Sequence, residues 1–301
     1  MPHDPARQHR FAQVDVFSAE PYRGNPVAVI LDADDLDDEQ MQRIACWTNL
    51  SETTFVLSPS TPDPAQDAPA PQADYRVRIF TPEGELPFAG HPTLGTAHAW
   101  LEVGGEPHQD DVIIQECAAG LVEVHRNPGT GALSFTAPPT TRTGPLEEEH
   151  LARISEALRI DRSLIVDHQW ADNGPGWAAV QLPHAQDVLD LRPDFSAHHD
   201  LKVGVFGLYP DGAACRLEIR AFVPGAAGAE DPVTGSLNAS VGQWLLRSGK
   251  STEAYTAAQG TVLGRTGRIS VTPVGSGRNV LVGGATTTLF HGHAEFPQPQ
   301  P

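Results

Sequence analysis

The chemistry available to this chain centres on a glutamate, a histidine and an aspartate, each placed at the end of an element. Glu52 lies in Asn49–Thr54 (NLSETT), at the entry to a strand that follows the first helix. A carboxylate there can act as a general acid or base if it faces a cleft. An ordinary exposed glutamate at a strand end leaves the same trace. His91 sits in Phe88-Ala89-Gly90-His91-Pro92-Thr93, which reads as the sharp mouth of a helix. It can donate to a carboxylate, share a proton, or bond the backbone as cap-region histidines do. Asp231 precedes Pro232 at a second helix mouth, where an aspartate is most often an N-cap. Ser236 either caps that helix or binds a ligand. Gly90 and Gly235 let a ligand approach backbone N–H groups where the helix dipole favours negative charge. Each mouth is therefore either a small-anion cradle or a plain structural turn.

Other chemistries fit less well. The histidines are scattered, with no HxxxH or CxxC pair, and His291-Gly292-His293 falls in a strand-like tail, so no metal is expected. Neither glycine belongs to a GxGxxG or P-loop pattern, which disfavours a nucleotide. Cys46, beside Trp47 on an amphipathic helix, reads as core. Cys117 and Cys215 stand in strand contexts and read as packed too.

Two similar runs of elements must position these residues. In the first, the alternating strand Tyr75–Phe80 (YRVRIF) leads through a turn at Pro82-Glu83-Gly84 to the mouth at Phe88–Thr93. Pro92 suits a first-turn position because its missing N–H would have no partner there. Ala97, Ala99, Trp100 and Leu101 carry the apolar part of the helix, and Gly104-Gly105 ends it. In the second, the strand Cys215–Val223 leads through a glycine-rich turn, Pro224–Gly228, to a mouth at Ala229–Ser236. A helix follows through Val241, Trp244, Leu245 and Leu246 to Gly249. The repetition predicts two similar lobes facing each other, with their helix mouths meeting at a cleft.

The rest of the chain reads as α+β. Its 301 residues suit two modest domains. Strands are expected at Phe11–Phe17, Val27–Leu31, Thr53–Leu57, Val112–Gln115, Gly120–His125, Ala132–Thr136, Gly176–Leu182, Leu201–Tyr209, Arg268–Pro273, Asn279–Gly283 and Thr286–Phe296. Asp34–Asp38 caps a first helix through Met41, Ile44, Ala45 and Trp47. Glu147–Leu158 and Ala185–Leu191 are further helices. Ser58–Asp74, rich in Pro, Ala and Asp, reads as a solvated, mobile loop. Ala137–Pro145 reads as the linker. The domains expected are an N-terminal lobe at 10–136, completed by a C-terminal strand near 286–296, and a C-terminal lobe at 146–284. Phe296–Pro301 ends as coil.

A net charge of −18 argues against nucleic acid and anionic membrane surfaces. No run approaches the roughly 20 apolar residues of a membrane span. Three cysteines give no disulfide framework, and Met1–Arg10 lacks an apolar signal core, so a cytoplasmic protein is expected.

Four blocks in order, VDVFSAEPYRGNPVAVI ending at Ile30, Asn49–Phe55 (NLSETTF), Ile79–Gly95 (IFTPEGELPFAGHPTLG) and Glu230–Ser236 (EDPVTGS), resemble the phenazine-biosynthesis isomerase, or PhzF-like, family over nearly the whole chain. The resemblance implies a diaminopimelate-epimerase-like fold: two pseudo-symmetric lobes, each a curved, mostly antiparallel sheet around a central helix, with the site between them. It also implies a homodimer and no cofactor. Diaminopimelate epimerase and proline racemase use two opposed cysteines at such mouths. The corresponding positions here lie near Ala89 and Asp231, and neither is Cys, which disfavours a two-thiol racemase. The carboxylate version of the family places its acid/base on the glutamate of the NLSET-type block, here Glu52. By the same carry-over His91, Asp231 and Ser236 complete the polar set, and Gly90 and Gly235 lend N–H groups to a small carboxylated substrate. The family's named reaction isomerises trans-2,3-dihydro-3-hydroxyanthranilate by moving a proton from C3 to C1 across a diene. An amino-acid epimerase or racemase, and a non-enzymatic small-molecule-binding or interaction protein, are the alternatives on the same fold.

Overall fold

The computed structural model describes residues 8–60, 72–224, 230–275 and 279–296. The expected loop at Ser58–Asp74, the turn at Pro224–Gly228, the start of Met1–Arg10 and the coil after Phe296 fall wholly or partly outside these residues. The chain forms two compact units. Unit 1 draws on Met1–Val16, Pro26–Leu133 and Thr286–Pro301, and unit 2 on Phe17–Asn25 and Ser134–Ala285.

Unit 1 begins with strands β1 (Gln8–Val16) and β2 (Asn25–Ile30), which pair with each other. Helix α1 (Asp38–Thr48) crosses to β3 (Thr53–Leu57), parallel to β2. Asp37 caps α1 with a full capping box: its side chain accepts from the Gln40 N–H while the Gln40 side chain takes the Asp37 N–H. Strand β4 (Tyr75–Phe80) lies antiparallel to β3, and the two-residue β5 (Glu85–Leu86) folds back on β4. Helix α2 (Gly90–Glu102) then carries the chain across to β6 (Val112–Cys117), parallel to β4, and β7 (Gly120–Arg126) pairs antiparallel with β6.

Strand β8 (Leu133–Thr136) leads into unit 2. There helix α3 (Glu148–Leu158) is followed by β9 (Asp167–Trp170) and β10 (Ala178–His184), an antiparallel pair. Helix α4 (Ala185–Asp190) crosses to β11 (Val203–Leu208), parallel to β10. Strand β12 (Leu217–Phe222) is antiparallel to β11, and the two-residue β13 (Glu230–Asp231) folds back on β12. Helix α5 (Gly235–Arg247) crosses to β14 (Tyr255–Gln259), parallel to β12. Strands β15 (Gly267–Val274) and β16 (Asn279–Gly284) complete an antiparallel run. The last strand, β17 (Thr286–Glu295), belongs to unit 1 and pairs antiparallel with β1 along its length.

The order β2-α1-β3-β4-β5-α2-β6-β7 thus recurs as β10-α4-β11-β12-β13-α5-β14-β15, with the same pairing sense at each step. The central helices have 13 residues each, and most of those residues are buried. Such helices must be apolar or small nearly all round. Both use glycine where a strand comes closest. A Cβ on Gly95 would lie 2.4 Å from Val27 Cγ1, and one on Gly242 would lie 2.7 Å from Val271 Cγ1. Strands β9 and β14 escape a sequence reading. Asp167–Trp170 and the Ala-Ala-Gln end of β14 have little of the β-branched alternation that marks strands, and pairing with neighbours makes them strands.

One core assignment is corrected. Cys46 is exposed, and the adjacent Trp47 is 87% exposed. Helix α1 buries Gln40, Met41 and Ala45, and residues 46 and 47 rotate off that stripe. The Cys46 thiol donates instead to the Pro82 carbonyl at 2.9 Å. Cys117 and Cys215 are buried. No helix among the described residues is long and apolar enough to cross a membrane.

Candidate active site

The α2 mouth is assembled from β3, β4 and the helix itself. After α1, Asn49 adopts a left-handed conformation and turns the chain into Leu50-Ser51-Glu52. The hydroxyls of Thr48 and Thr53 meet at 2.8 Å and close this turn. One residue on, Thr96 of α2 donates to Thr54 of β3 at 2.8 Å, and Thr54 donates to the Ala28 carbonyl. Glu52 and His91 are therefore carried on elements bonded to each other. Glu52 Oε2 lies 3.5 Å from His91 Nε2, with the two side chains 15% and 5% exposed. That separation is long for a hydrogen bond, and Oε2 accepts none among the described residues. Burial lifts the Glu52 carboxyl from 4.5 to about 7, against a smaller opposing pull from a Ser51 hydrogen bond. Such an acid exchanges its proton near neutral pH.

Helix α2 starts at Gly90 behind Ala89, which offers no side-chain cap. The first intrahelical bond runs from Thr93 N–H to the Ala89 carbonyl. The N–H groups of Gly90 and His91 thus have no acceptor within the helix. A buried chain holds the helix start from below: Tyr75 O–H donates to Gln115 Oε1 and Gln115 Nε2 donates to Thr93 Oγ1, both at 3.0 Å.

The α5 mouth repeats this frame with a different filling. Arg220 of β12 makes a bidentate pair with Glu230 of β13 at 2.9 and 2.7 Å and stacks 5.0 Å from the Phe222 ring. In unit 1, Arg78 pairs with Glu85 at 2.8 and 2.6 Å and lies 5.0 Å from the Phe80 ring. The clamp fixes where each short strand leaves toward its helix. Asp231 follows the clamp, and its carboxylate accepts from Asn25 Nδ2 at 2.9 Å and from Thr234 Oγ1 at 2.6 Å. Gln259 of β14, fully buried, bonds four ways. Its oxygen accepts from Thr234 N–H and Asn238 Nδ2, and its nitrogen donates to Thr234 Oγ1 and the Asp231 carbonyl.

Asp231 is not the N-cap of α5. That position belongs to Thr234, whose hydroxyl is spent on Asp231, so the helix has no side-chain cap. Ser236 does not cap either. It is the second helical residue, and its hydroxyl receives the indole N–H of the buried Trp177 at 3.0 Å. Asn173 Nδ2 holds the Ser236 carbonyl at 3.0 Å. Among the described residues, no group of three or more His, Cys, Asp or Glu side chains is gathered to hold a metal.

Unit 1 thus brings Glu52, His91 and Gly90 together, and unit 2 brings Asp231, Gly235 and Ser236 to one helix mouth. Reading the residues alone does not find Asn25, Gln115, Trp177 or Gln259. Asn25 opens β2, and the sequence around it, Arg23-Gly24-Asn25-Pro26, reads as a loop that gives no chemical signal by itself. The two glutamines sit in strand segments where only tertiary pairing shows what they reach.

A family model described as phenazine biosynthesis-like protein matches residues 14–292. The chain is 40% identical over 95% of its length to "Antisense-enhancing sequence 1" of Schizosaccharomyces pombe, covering 98% of that protein. It is 37% identical over 90% of its length to trans-2,3-dihydro-3-hydroxyanthranilate isomerase of Pseudomonas aeruginosa, covering 93% of that enzyme. The crystal structure of a PhzF-family protein of Enterococcus faecalis superposes with a TM-score of 0.75 at 26% identity, over 96% of this chain and 100% of that one. In fold alone, a hydroxyproline epimerase of Agrobacterium vitis matches with a TM-score of 0.58 at 16% identity, over 97% of this chain and 94% of that one. The architecture is the α+β fold of the diaminopimelate-epimerase-like group.

Proposed function

The chain belongs to the phenazine biosynthesis-like family and is an enzyme of the isomerase class, and from that premise we propose that it moves a proton between carbons of a small cyclic amino-carboxylate, with Glu52 as the general acid/base. The observation that carries this reading is the state of Glu52. Its side chain is only 15% exposed, its carboxyl is lifted to about 7, its shielded Oε2 accepts no hydrogen bond among the described residues, and His91 stands 3.5 Å away. A carboxylate tied down by fixed donors would be a poor base, and one in water would be a weak one. Near neutrality both proton affinity and proton release are within reach.

In the reaction proposed, the Glu52 carboxylate removes a proton from one ring carbon. The electron pair of the broken C–H bond spreads across the conjugated system. The neutral Glu52 acid then returns the proton to a second carbon, so that one double bond has moved and no atom is gained or lost. His91 and Asp231 exchange hydrogen bonds with the amino and hydroxyl groups of the substrate. Gly90, Gly235 and Ser236 provide N–H and O–H donors for its carboxylate. The substrate class follows the trans-2,3-dihydro-3-hydroxyanthranilate isomerase relatives.

The test is Glu52→Gln assayed with trans-2,3-dihydro-3-hydroxyanthranilate in heavy water by proton NMR. We expect turnover and deuterium uptake at carbon to fall by about a thousandfold or more. Binding of 3-hydroxyanthranilate, the flat aromatic analogue, should persist by calorimetry. Near-full deuterium uptake in the variant removes Glu52 from the mechanism. Uptake at a stereocentre without movement of a double bond would reassign the wild-type reaction to epimerisation.

A further inference from the structure

Ser236 is the one hydroxyl among the residues proposed to hold the substrate, and a hydroxyl can donate or accept. Its surroundings remove that choice. The indole N–H of Trp177 is a donor only, and it lies 3.0 Å from Ser236 Oγ. Oγ must therefore accept this bond, and Trp177, 2% exposed, has no room to turn away. No acceptor for the hydroxyl proton of Ser236 is found among the described residues: Ser240 and Asn173 both bond its backbone carbonyl. The two backbone groups beside it at the helix start are donors too. Residues 235 and 236 are the first two of an α-helix whose N-cap provides no side chain, so their N–H groups point out of the helix unclaimed by it.

The loop that carries Trp177 is itself braced. The Asp172 carboxylate takes the N–H groups of Gly174 and Gly176, at 2.8 and 2.6 Å. Asn173 reaches the Ser236 carbonyl from the same loop. Two residues of one short turn thus grip Ser236, one at its backbone and one at its side chain.

We infer that Trp177 is a positioning residue that fixes Ser236 as a hydrogen-bond donor, so that its hydroxyl and the N–H groups of residues 235 and 236 form a three-donor set that selects a carboxylate over a carboxamide of the same shape. This rests on the proposed role of Ser236 in holding the substrate carboxylate. A carboxylate offers only acceptors and satisfies three donors. A carboxamide held by the same three groups sets its NH2 group against a donor. Once the indole N–H is removed, the Ser236 hydroxyl can rotate and accept from that NH2 group.

The experiment compares 3-hydroxyanthranilate with 2-amino-3-hydroxybenzamide by calorimetry on wild type, Trp177→Phe, Ser236→Ala and the double variant. Wild type should prefer the acid. Trp177→Phe should weaken acid binding by about fivefold to tenfold, as expected for one oriented hydrogen bond to a charged group. It should also bring the acid-to-amide ratio toward one. With Ser236→Ala already present, Trp177→Phe should change the ratio no further. If the phenylalanine variant does not fold, benzothienylalanine at position 177, which puts sulfur in place of N–H in the same ring shape, carries the same expectation. An unchanged ratio in either variant, or a Trp177 effect that survives in the Ser236→Ala background, overturns the inference while the substrate-binding role of Ser236 stands. Should wild type bind neither probe, or Ser236→Ala bind the acid as wild type does, the parent reading fails and takes this one with it.

Discussion

The carboxyl group at the mouth of α2 leaves one oxygen without a hydrogen bond among the described residues, whereas the carboxylate at the mouth of α5 accepts bonds from Asn25 and Thr234. The frames that carry them are alike. Each has an Arg-x-Phe strand, a bidentate glutamate on a two-residue return strand, a glycine-first helix without a side-chain cap, and a fully buried glutamine on the strand that follows. The fillings differ because the tasks differ. A group that gives and takes a proton must not be held by donors that favour one charge state. A group that orients a ligand gains from being held. The same contrast shows one step earlier in each unit: Glu52 precedes β3, while the residue preceding β11 is the exposed Lys202. On this reading the proton chemistry belongs to the α2 mouth.

The sharpest way to break the comparison is to treat the two positions alike. Glu52→Gln should lower kcat by about a thousandfold or more, and Lys202→Ala should leave it within about twofold. Comparable losses at both positions would mean that the asymmetry has been misread. The next largest effect concerns the two glutamines. Gln259→Leu strands the Thr234 N–H, leaves Asn238 Nδ2 with only its bond to the Thr234 carbonyl, and releases the Asp231 carbonyl. We expect it to lower the free energy of urea unfolding by about 3 kcal/mol and to cut kcat as well. Gln115→Leu breaks two bonds rather than four and should cost about 2 kcal/mol. A larger penalty at Gln115 would show that the α2 mouth is the more rigid of the two.

The shifted carboxyl of Glu52 also predicts a pH signature. Its folded-state value, about 7, lies above its unfolded value of 4.5, so between these limits the folded protein binds the extra proton. Stability contributed by the neutral acid is complete below 4.5 and is lost as pH rises through 7. Glu52→Gln removes this dependence. The variant should match wild type near pH 4.5 and exceed it above pH 7 by up to about 3 kcal/mol. A variant less stable than wild type at pH 8 would show that the ionised carboxylate is better supported than its surroundings suggest.

Much of this arrangement can be read from the chain. The alternation of Tyr75–Phe80, the Gly-His-Pro mouth and the acidic cap of α1 are local signals, because each states a backbone preference within a few residues. The repeated order strand, mouth, helix is visible for the same reason. The residues that make the α5 mouth rigid are not. Asn25 and Asp231 are 206 positions apart, and Trp177 and Ser236 are 59 apart. No window of sequence contains either pair. Strand β14 is equally silent, since its Ala-Ala-Gln end becomes a strand only between β12 and β15. The misreading of Cys46 has a different cause. Its helix is amphipathic, as expected, but the apolar stripe runs through Met41 and Ala45 and passes one residue short of the thiol.

That thiol gives the smallest effect and the finest comparison of the two units. Of the three cysteines, only Cys46 is exposed; burial pushes the thiols of Cys117 and Cys215 up, which removes reactive thiolate as well as access. In native protein a thiol reagent such as dithionitrobenzoate should therefore modify one group quickly, with turnover unchanged, and the other two only as their surroundings open. Cys117 reports on β6, the strand that carries Gln115, and Cys215 on the approach to β12 in unit 2. If fewer bonds at the α2 mouth mean a looser unit 1, peptide mapping over time should find Cys117 labelled before Cys215. The reverse order would place the greater rigidity in the unit with the sparser network, and the contrast between the mouths would then concern charge rather than stiffness.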